Sequence, residues 1–415
     1  MKKVVKKIVL LLIVLGIGVG VTILYTNNKY KVYEEEEPKQ IKKHVDTISM
    51  MLETEAGSGN YEMTTRSEWP TDGYVFNATL SKCENGGELY WDDENKRVVM
   101  SGNVSDKCYV YFDKALTLAT YVKSLYTGTQ GDNNIYYHDS SLTNGAGDSS
   151  YRYSGANPNN YVCFGSNEST CPTDNLYRII GVFGNNVKLI KYDYATSALL
   201  GTDGNYQGTG TPNSSYYKGS LTTINTYYWN NSTKKNTWSE SLLNKTNLNT
   251  NFINNIGTEW ANKIATTTWK VGGNTYANIR DVIPATAYQN EIVNPVTTNT
   301  TDNATEYSAK IGLMYVSDYG FGAGPSAWTT TLYNYDGGVN GSTIRSLNWM
   351  HMGYYDWTLS RLADNSDSAF RVYDDGHVSH NRVYLHDAVR PSFNLESSIT
   401  YVSGDGTQNS PIIIN

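Results

Sequence analysis

The sequence predicts an α+β fold, in which a large C-terminal domain follows a single transmembrane helix, a stalk helix and a small disulfide-bonded β module. Three observations carry this expectation. An uncharged apolar run opens the chain, four cysteines fall into two local pairs, and strand-like segments surround two amphipathic ones toward the C-terminus. The segments are 1–27 for the anchor, 28–60 for the stalk, 71–113 for the β module, 114–160 for a helix and Gly/Asn-rich linker, and 161–415 for the large domain.

Lys2, Lys3, Lys6 and Lys7 precede the apolar run 8–25. Eighteen residues at about 1.5 Å each give roughly 27 Å, enough to cross a hydrocarbon core. The next cation is Lys29, and an acidic run follows at 34–37. Basic residues stay on the inner side, so the N-terminus is expected in the cytoplasm and the rest of the chain outside a cell membrane crossed once. A cleaved signal peptide is the rival reading, because Gly18-Val19-Gly20 offers small residues at a cleavage site. The run is longer than a signal core and lacks Ala-x-Ala, which favours an uncleaved anchor.

Residues 38–53 place Ile41, Val45, Ile48 and Leu52 at helical spacing, behind an acidic start that suits the positive end of a helix. Such a stalk pairs with a copy of itself or packs on its own chain. Between 73 and 113 short aromatic and β-branched runs (74–80, 89–91, 97–100, 108–112) alternate with turns. About forty residues with one apolar sheet face need a staple. Cys83 with Cys108, and Cys163 with Cys171, are the short-range pairs among three possible connectivities. Each bridge would contribute roughly 2–4 kcal/mol. A zinc site would need Cys-x-x-Cys or neighbouring histidines, and neither spacing is present.

A short helix with Leu118, Val122 and Leu125 on one face comes next, then the Gly-, Asn- and Ser-rich stretch 128–160. Runs 177–183 and 187–192 flank Gly184-Asn185-Asn186, a hairpin signal. Amphipathic segments follow at 238–243 and 252–264, the first capped by Thr237 or Ser239. Strands return at 269–271, 311–316, 357–359, 370–373, 389–395 and 411–414. Only 18% of residues are charged, and 35 tyrosines stand against 8 phenylalanines, so hydroxyl-bearing rings and amides supply the polarity. A net charge of −7 without a basic stripe argues against nucleic acid as partner.

Residues 348–395 alternate an apolar framework with polar, aromatic inserts. The inserts hold His351, Tyr354, Tyr355 and Asp356, then Tyr373, Asp374, Asp375, His377, His380, Asn381, Tyr384, His386 and Asp387. Four of the six histidines lie here, and this mixture makes adaptable contacts in binding loops, so these residues are the candidate ligand-binding set. A polar loop surface without a ligand is the plain alternative. His377 and His380 would point to opposite sides of a strand and ligate a metal together only from an irregular segment. Arg361 and Arg390, inside apolar strands, are each expected to tie to an acid or a carbonyl.

The framework resembles the C-type-lectin-like fold, as in the formylglycine-generating-enzyme group and Gram-positive surface-protein domains. The resemblance rests on Trp357-Thr358-Leu359-Ser360-Arg361, on Val372 with Gly376, and on Val389-Arg390-Pro391-Ser392-Phe393-Asn394-Leu395. The ending Gly404-Asp405-Gly406-Thr407 before Pro411-Ile412-Ile413-Ile414 is similar too. It implies adjacent chain ends and a variable loop face over residues 160–415, of the kind that retroelement mutagenesis of asparagine codons diversifies. The oxidase relatives need cysteines in the C-terminal half, and none follows Cys171. Glu-Pro-Asn, Gln-Pro-Asp and Trp-Asn-Asp, which carry calcium-dependent sugar binding, are absent as well. Recognition of a protein or glycan ligand without a cofactor, metal or catalytic chemistry is therefore expected. The second expectation is a structural, self-assembling surface or appendage subunit without a foreign ligand.

Overall fold

The computed structural model describes residues 48–70, 73–101, 106–296 and 305–415 of the chain. These form two compact units, one ending at Ala115 and the other running from Leu116 to Asn415. Sheet and loop dominate both, and the longest α-helices among the described residues, Leu118–Ser124 and Val316–Gly322, have seven residues each.

In the smaller unit the strand Cys108–Lys114 is central. It runs parallel to Ile48–Glu53 and antiparallel to Tyr74–Phe76 and Lys82–Cys83. Ile48–Glu53 takes Tyr61–Met63 on its other edge. Alternation along the central strand buries Cys108, Val110 and Phe112. Phe112 collects Trp69, Phe76 and Trp91 at ring-centroid distances of 6.0, 5.9 and 5.8 Å. The disulfide joins Cys83 to Cys108, which face each other directly in the ladder.

The expected single-pass architecture is corrected. Among the described residues no helix is long and apolar enough to cross a membrane, so no transmembrane helix precedes the folded units there. The span expected at 1–27 and the start of the expected stalk lie outside the described residues. The end of that stalk is strand, not helix. A spacing of four, Ile48 to Leu52, belongs to both periods. Met50 between them decides, because all three pack on one core at period two.

The larger unit is built on a seven-stranded sheet. Its main path runs Ile311–Gly312, Ser392–Asn394, Asn186–Lys191, Leu176–Phe183, Ser150–Tyr153 and Ile135–His138, with Tyr161–Cys163 also on Leu176–Phe183. Phe183 pairs with Asn186, so the hairpin turns through Gly184-Asn185 with Gly184 at φ 63°. Residues 116–160 lie within this unit. Its strands carry Ser150 and Arg152 inward, and Arg152 is held there by Ser150 Oγ and Asp148. Hydropathy cannot register a strand whose buried residues are polar and satisfy one another.

Leu118–Ser124 is capped by Thr117, whose hydroxyl accepts from the Thr120 N–H. This start lies beside 399–401, through Leu118 N–H to Ile399 O and Tyr401 N–H to Leu116 O. The amphipathic segments appear as Trp238–Glu240, Leu243–Phe252, Ile253–Asn255 and Gly257–Asn262, the second in π geometry. Neither Thr237 nor Ser239 provides the expected cap. The asparagines have a structural part instead. Asn236 Nδ2 donates to three carbonyls (Leu362, Asn365, Ser368), and Asn247 Nδ2 to Leu200 O and Asp203 O. Irregular backbone is thereby satisfied without a ladder.

Candidate functional site: an aromatic and cationic ladder

A four-stranded sheet carries most of the polar inserts. Gly273–Asn274 lies parallel to Asp356–Leu362, which pairs antiparallel with Ser368–Val372, itself paired with Val378–Arg382. The last two strands close through 373–377, where Gly376 takes φ 103°, a conformation suited to glycine. Two interior groups hold this tip by its backbone. Tyr319 Oη donates to Gly376 O at 2.7 Å, and His351 Nε2 donates to Asp374 O at 2.8 Å.

Arg371, with its side chain 13% exposed, is the centre of a half-buried arrangement. It precedes Tyr373 by two residues on an extended strand, so both emerge on one side. Its guanidinium lies 4.3 Å from the Tyr355 ring centroid and 4.1 Å from that of Tyr373. Arg371 Nη1 donates to Asp387 Oδ1 at 2.6 Å, which fixes the cation between the two rings. Tyr354 packs edge-on against Tyr355 at 5.6 Å. Tyr373 stacks on His377 at 4.0 Å, and His377 meets Tyr333 at 5.7 Å. Arg280 then lies over Tyr333 and Tyr276, at 4.7 and 4.5 Å, and Tyr276 meets His380 at 4.6 Å. The result is a continuous row of half-buried rings interleaved with two arginines.

The predicted site residues divide into three groups. Tyr354, Tyr355, Tyr373, His377 and His380 belong to the row, with Asp374 and Asp375 on its tip and Asp375 Oδ1 2.6 Å from His377 Nδ1. Tyr384, half-buried near Lys234, lies on a neighbouring turn, exposed His386 opens the strand His386–Asp387 beside Tyr228, and Asn381 is half-buried. His351, Asp356 and Asp387 are interior, each 1% exposed, and cannot touch a ligand at the surface. His351 instead holds the tip, and burial together with the Lys218 charge lowers its pKa to about 3. Asp356 pairs with Arg390 Nε at 2.6 Å, and Asp387 with Arg371. His377 and His380 turn to different partners, Tyr373 and Tyr276, and do not converge on a shared ligand position.

Sequence reasoning missed Arg371, Arg280, Tyr276 and Tyr333. Arg371 was legible from its two-residue offset to Tyr373. The other three come from the helix Tyr276–Asp281 and the turn Leu332–Asn334, which only tertiary packing brings to the row. A second group, deep in the larger unit, was also hidden. Lys188 Nζ lies 2.6 Å from Asp318 Oδ2, with Arg152 Nη1 3.5 Å from the other oxygen. Nearby Glu291 accepts from Ser360 Oγ at 2.6 Å and from the Ser317 N–H at 3.2 Å. Burial pushes the Glu291 carboxyl up to about 7.

Both cysteine pairs are disulfides, Cys83 with Cys108 and Cys163 with Cys171. No family model, curated protein or solved structure matches the chain, so nothing in these comparisons indicates a C-type-lectin-like fold.

Proposed function

We propose that the chain is a recognition protein and that the ring-and-arginine row binds a protein or glycan ligand without chemical conversion. The observation that carries this reading is Arg371, locked between Tyr355 and Tyr373 by Asp387. Locking the cation and both rings in advance removes much of the ordering cost of association. The contacts of Arg371 with Tyr355 and Tyr373, each worth about 0.5–2 kcal/mol, hold this arrangement in place before a ligand arrives. The tip carboxylates Asp374 and Asp375 and the imidazole of His377 supply hydrogen-bonding groups at the same place.

The test is capture by the full chain, immobilised and exposed to a glycan array and to a protein extract, beside a Tyr355→Ala/Tyr373→Ala variant. Retention by the wild type and at least a tenfold loss in the variant, with unchanged circular dichroism, supports the reading. Equal capture by both sinks it. Cross-links that join only copies of this chain through 373–387 would replace it with self-assembly.

A further inference from the structure

Lys188 points inward from Asn186–Lys191, an interior strand of the seven-stranded sheet, and Asp318 from the helix Val316–Gly322. Their side chains are 6% and 1% exposed, and Lys188 Nζ lies 2.6 Å from Asp318 Oδ2. Three rings surround the amine, with the Tyr315, Trp269 and Phe183 centroids 4.6, 5.4 and 5.8 Å from Nζ. Asp318 Oδ2 also accepts from the Tyr315 N–H at 3.0 Å, while Arg152 Nη1 faces Oδ1 at 3.5 Å. Glu291 is near enough for its charge to act on Lys188 and for that of Asp318 to act on Glu291.

A buried pair of opposite charges gains little stability, because desolvation offsets most of the attraction. The same surroundings favour a reaction between the two groups. Burial lowers the pKa of Lys188, and the neutral amine is a nucleophile. Burial raises Glu291 to about 7, so this carboxyl can both take up and give back a proton. Strand and helix hold amine and carboxylate in contact, which replaces a chance encounter with an effective concentration on the order of 10⁵–10⁸ M. The rings exclude the water that would reverse the step.

We propose that Lys188 and Asp318 condense into an intramolecular amide, a covalent tie between sheet and helix across a sequence separation of 130. From the ion pair, the ammonium first passes a proton to Oδ2 across their hydrogen bond, which leaves a neutral amine and a carboxylic acid. Nζ then forms a bond to Cγ, Glu291 carries a second proton from Nζ to Oδ2, and the Cγ–Oδ2 bond breaks to release water. Glu291 ends as it began, no oxidant or reductant takes part, and two opposite charges are gone from the core. Oδ1 stays as the amide oxygen beside Arg152, whose charge stabilises the oxyanion formed on the way. The tie is independent of ligand recognition at the aromatic row.

The experiment is intact-mass spectrometry of the full chain, denatured and with its disulfides reduced, followed by peptide mapping. The wild type should be lighter than its sequence by one water, and digestion should give a branched peptide that joins the segment around Lys188 to that around Asp318. Lys188→Met should have its full mass. Glu291→Gln, with circular dichroism matching the wild type, should acquire the bond about a hundredfold more slowly or not at all. Absence of the bond shifts the stability of Glu291→Gln equally at every pH, so the titration of Glu291 is still read from the shape of its pH profile. The inference is overturned if the folded wild type has its full mass and yields no branched peptide. It is also overturned if the loss of water persists in Lys188→Met, which would place it elsewhere in the chain.

Discussion

The two units of this chain solve the same problem with different means. Among the described residues the smaller has three buried apolar side chains at its centre, Met50, Val110 and Phe112, and a covalent bridge across its ladder. The larger has a core that continues from Leu118 to Ile414, and its bridge spans only a local loop. It buries several ion pairs and amide side chains, whereas the smaller unit buries, among the described residues, two carboxylates, Glu53 and Asp106, each answered by backbone N–H groups. Size decides how much polarity an interior can hold, because the apolar surplus must offset each desolvated group.

The sharpest way to break this comparison is Phe112→Ala. Removing the ring that gathers Trp69, Phe76 and Trp91 should cost about 3–5 kcal/mol. In calorimetry the smaller unit's transition should disappear while the larger unit's stays in place; loss of both would mean that the units do not fold separately. The next largest effect concerns the bridges. Replacing Cys83 and Cys108 by serine opens a loop with a sequence separation of 25, for which chain entropy gives roughly 3.5 kcal/mol. Replacing Cys163 and Cys171 opens one with a separation of 8, worth roughly 2.5 kcal/mol. The first pair should unfold its unit and the second should only lower a Tm. Equal tolerance of both would remove the distinction.

The third effect, comparable with that of the second bridge, is the most specific. Glu291 is held in the larger core with its pKa raised to about 7 from the ordinary 4.5. Its folded state keeps a proton that the unfolded chain releases, so the associated stability is full below pH 4.5 and is lost as pH rises to about 7. Asp356, raised to about 6 by burial, acts in the same direction, and His351, lowered to about 3, acts in the opposite one. The difference between wild type and Glu291→Gln isolates the one group. Relative to wild type, Glu291→Gln should gain up to about 3 kcal/mol between pH 4.5 and pH 8. Urea unfolding across that range measures it, with the smaller unit as internal reference. Parallel pH profiles for the two proteins would show that Glu291 does not titrate there.

Much of this was legible in the residues, and the rest was hidden for identifiable reasons. Gly184-Asn185 announced its hairpin and the cysteine spacing announced both bridges, since turn geometry and short loops are local properties. Ile48 and Leu52 misled, because a four-residue spacing satisfies helix and strand alike. The strand around Arg152 was invisible to hydropathy. Within the candidate site, the composition of the inserts does not separate surface from interior. His351, Asp356 and Asp387 have the same composition as their exposed neighbours, and only burial separates them.

The tip at 373–377 is gripped by hydrogen bonds to the carbonyl oxygens of Asp374 and Gly376, not to any side chain. Peptide carbonyls are common to every amino acid, so the grip is indifferent to what the tip displays. Residues 373, 374 and 377 can drift without unsettling the hairpin, whereas Asp375, whose carboxylate accepts from the His377 N–H, and Tyr319 and His351 beneath them cannot. Variation in specificity and maintenance of shape are thus assigned to different positions of one short stretch of chain.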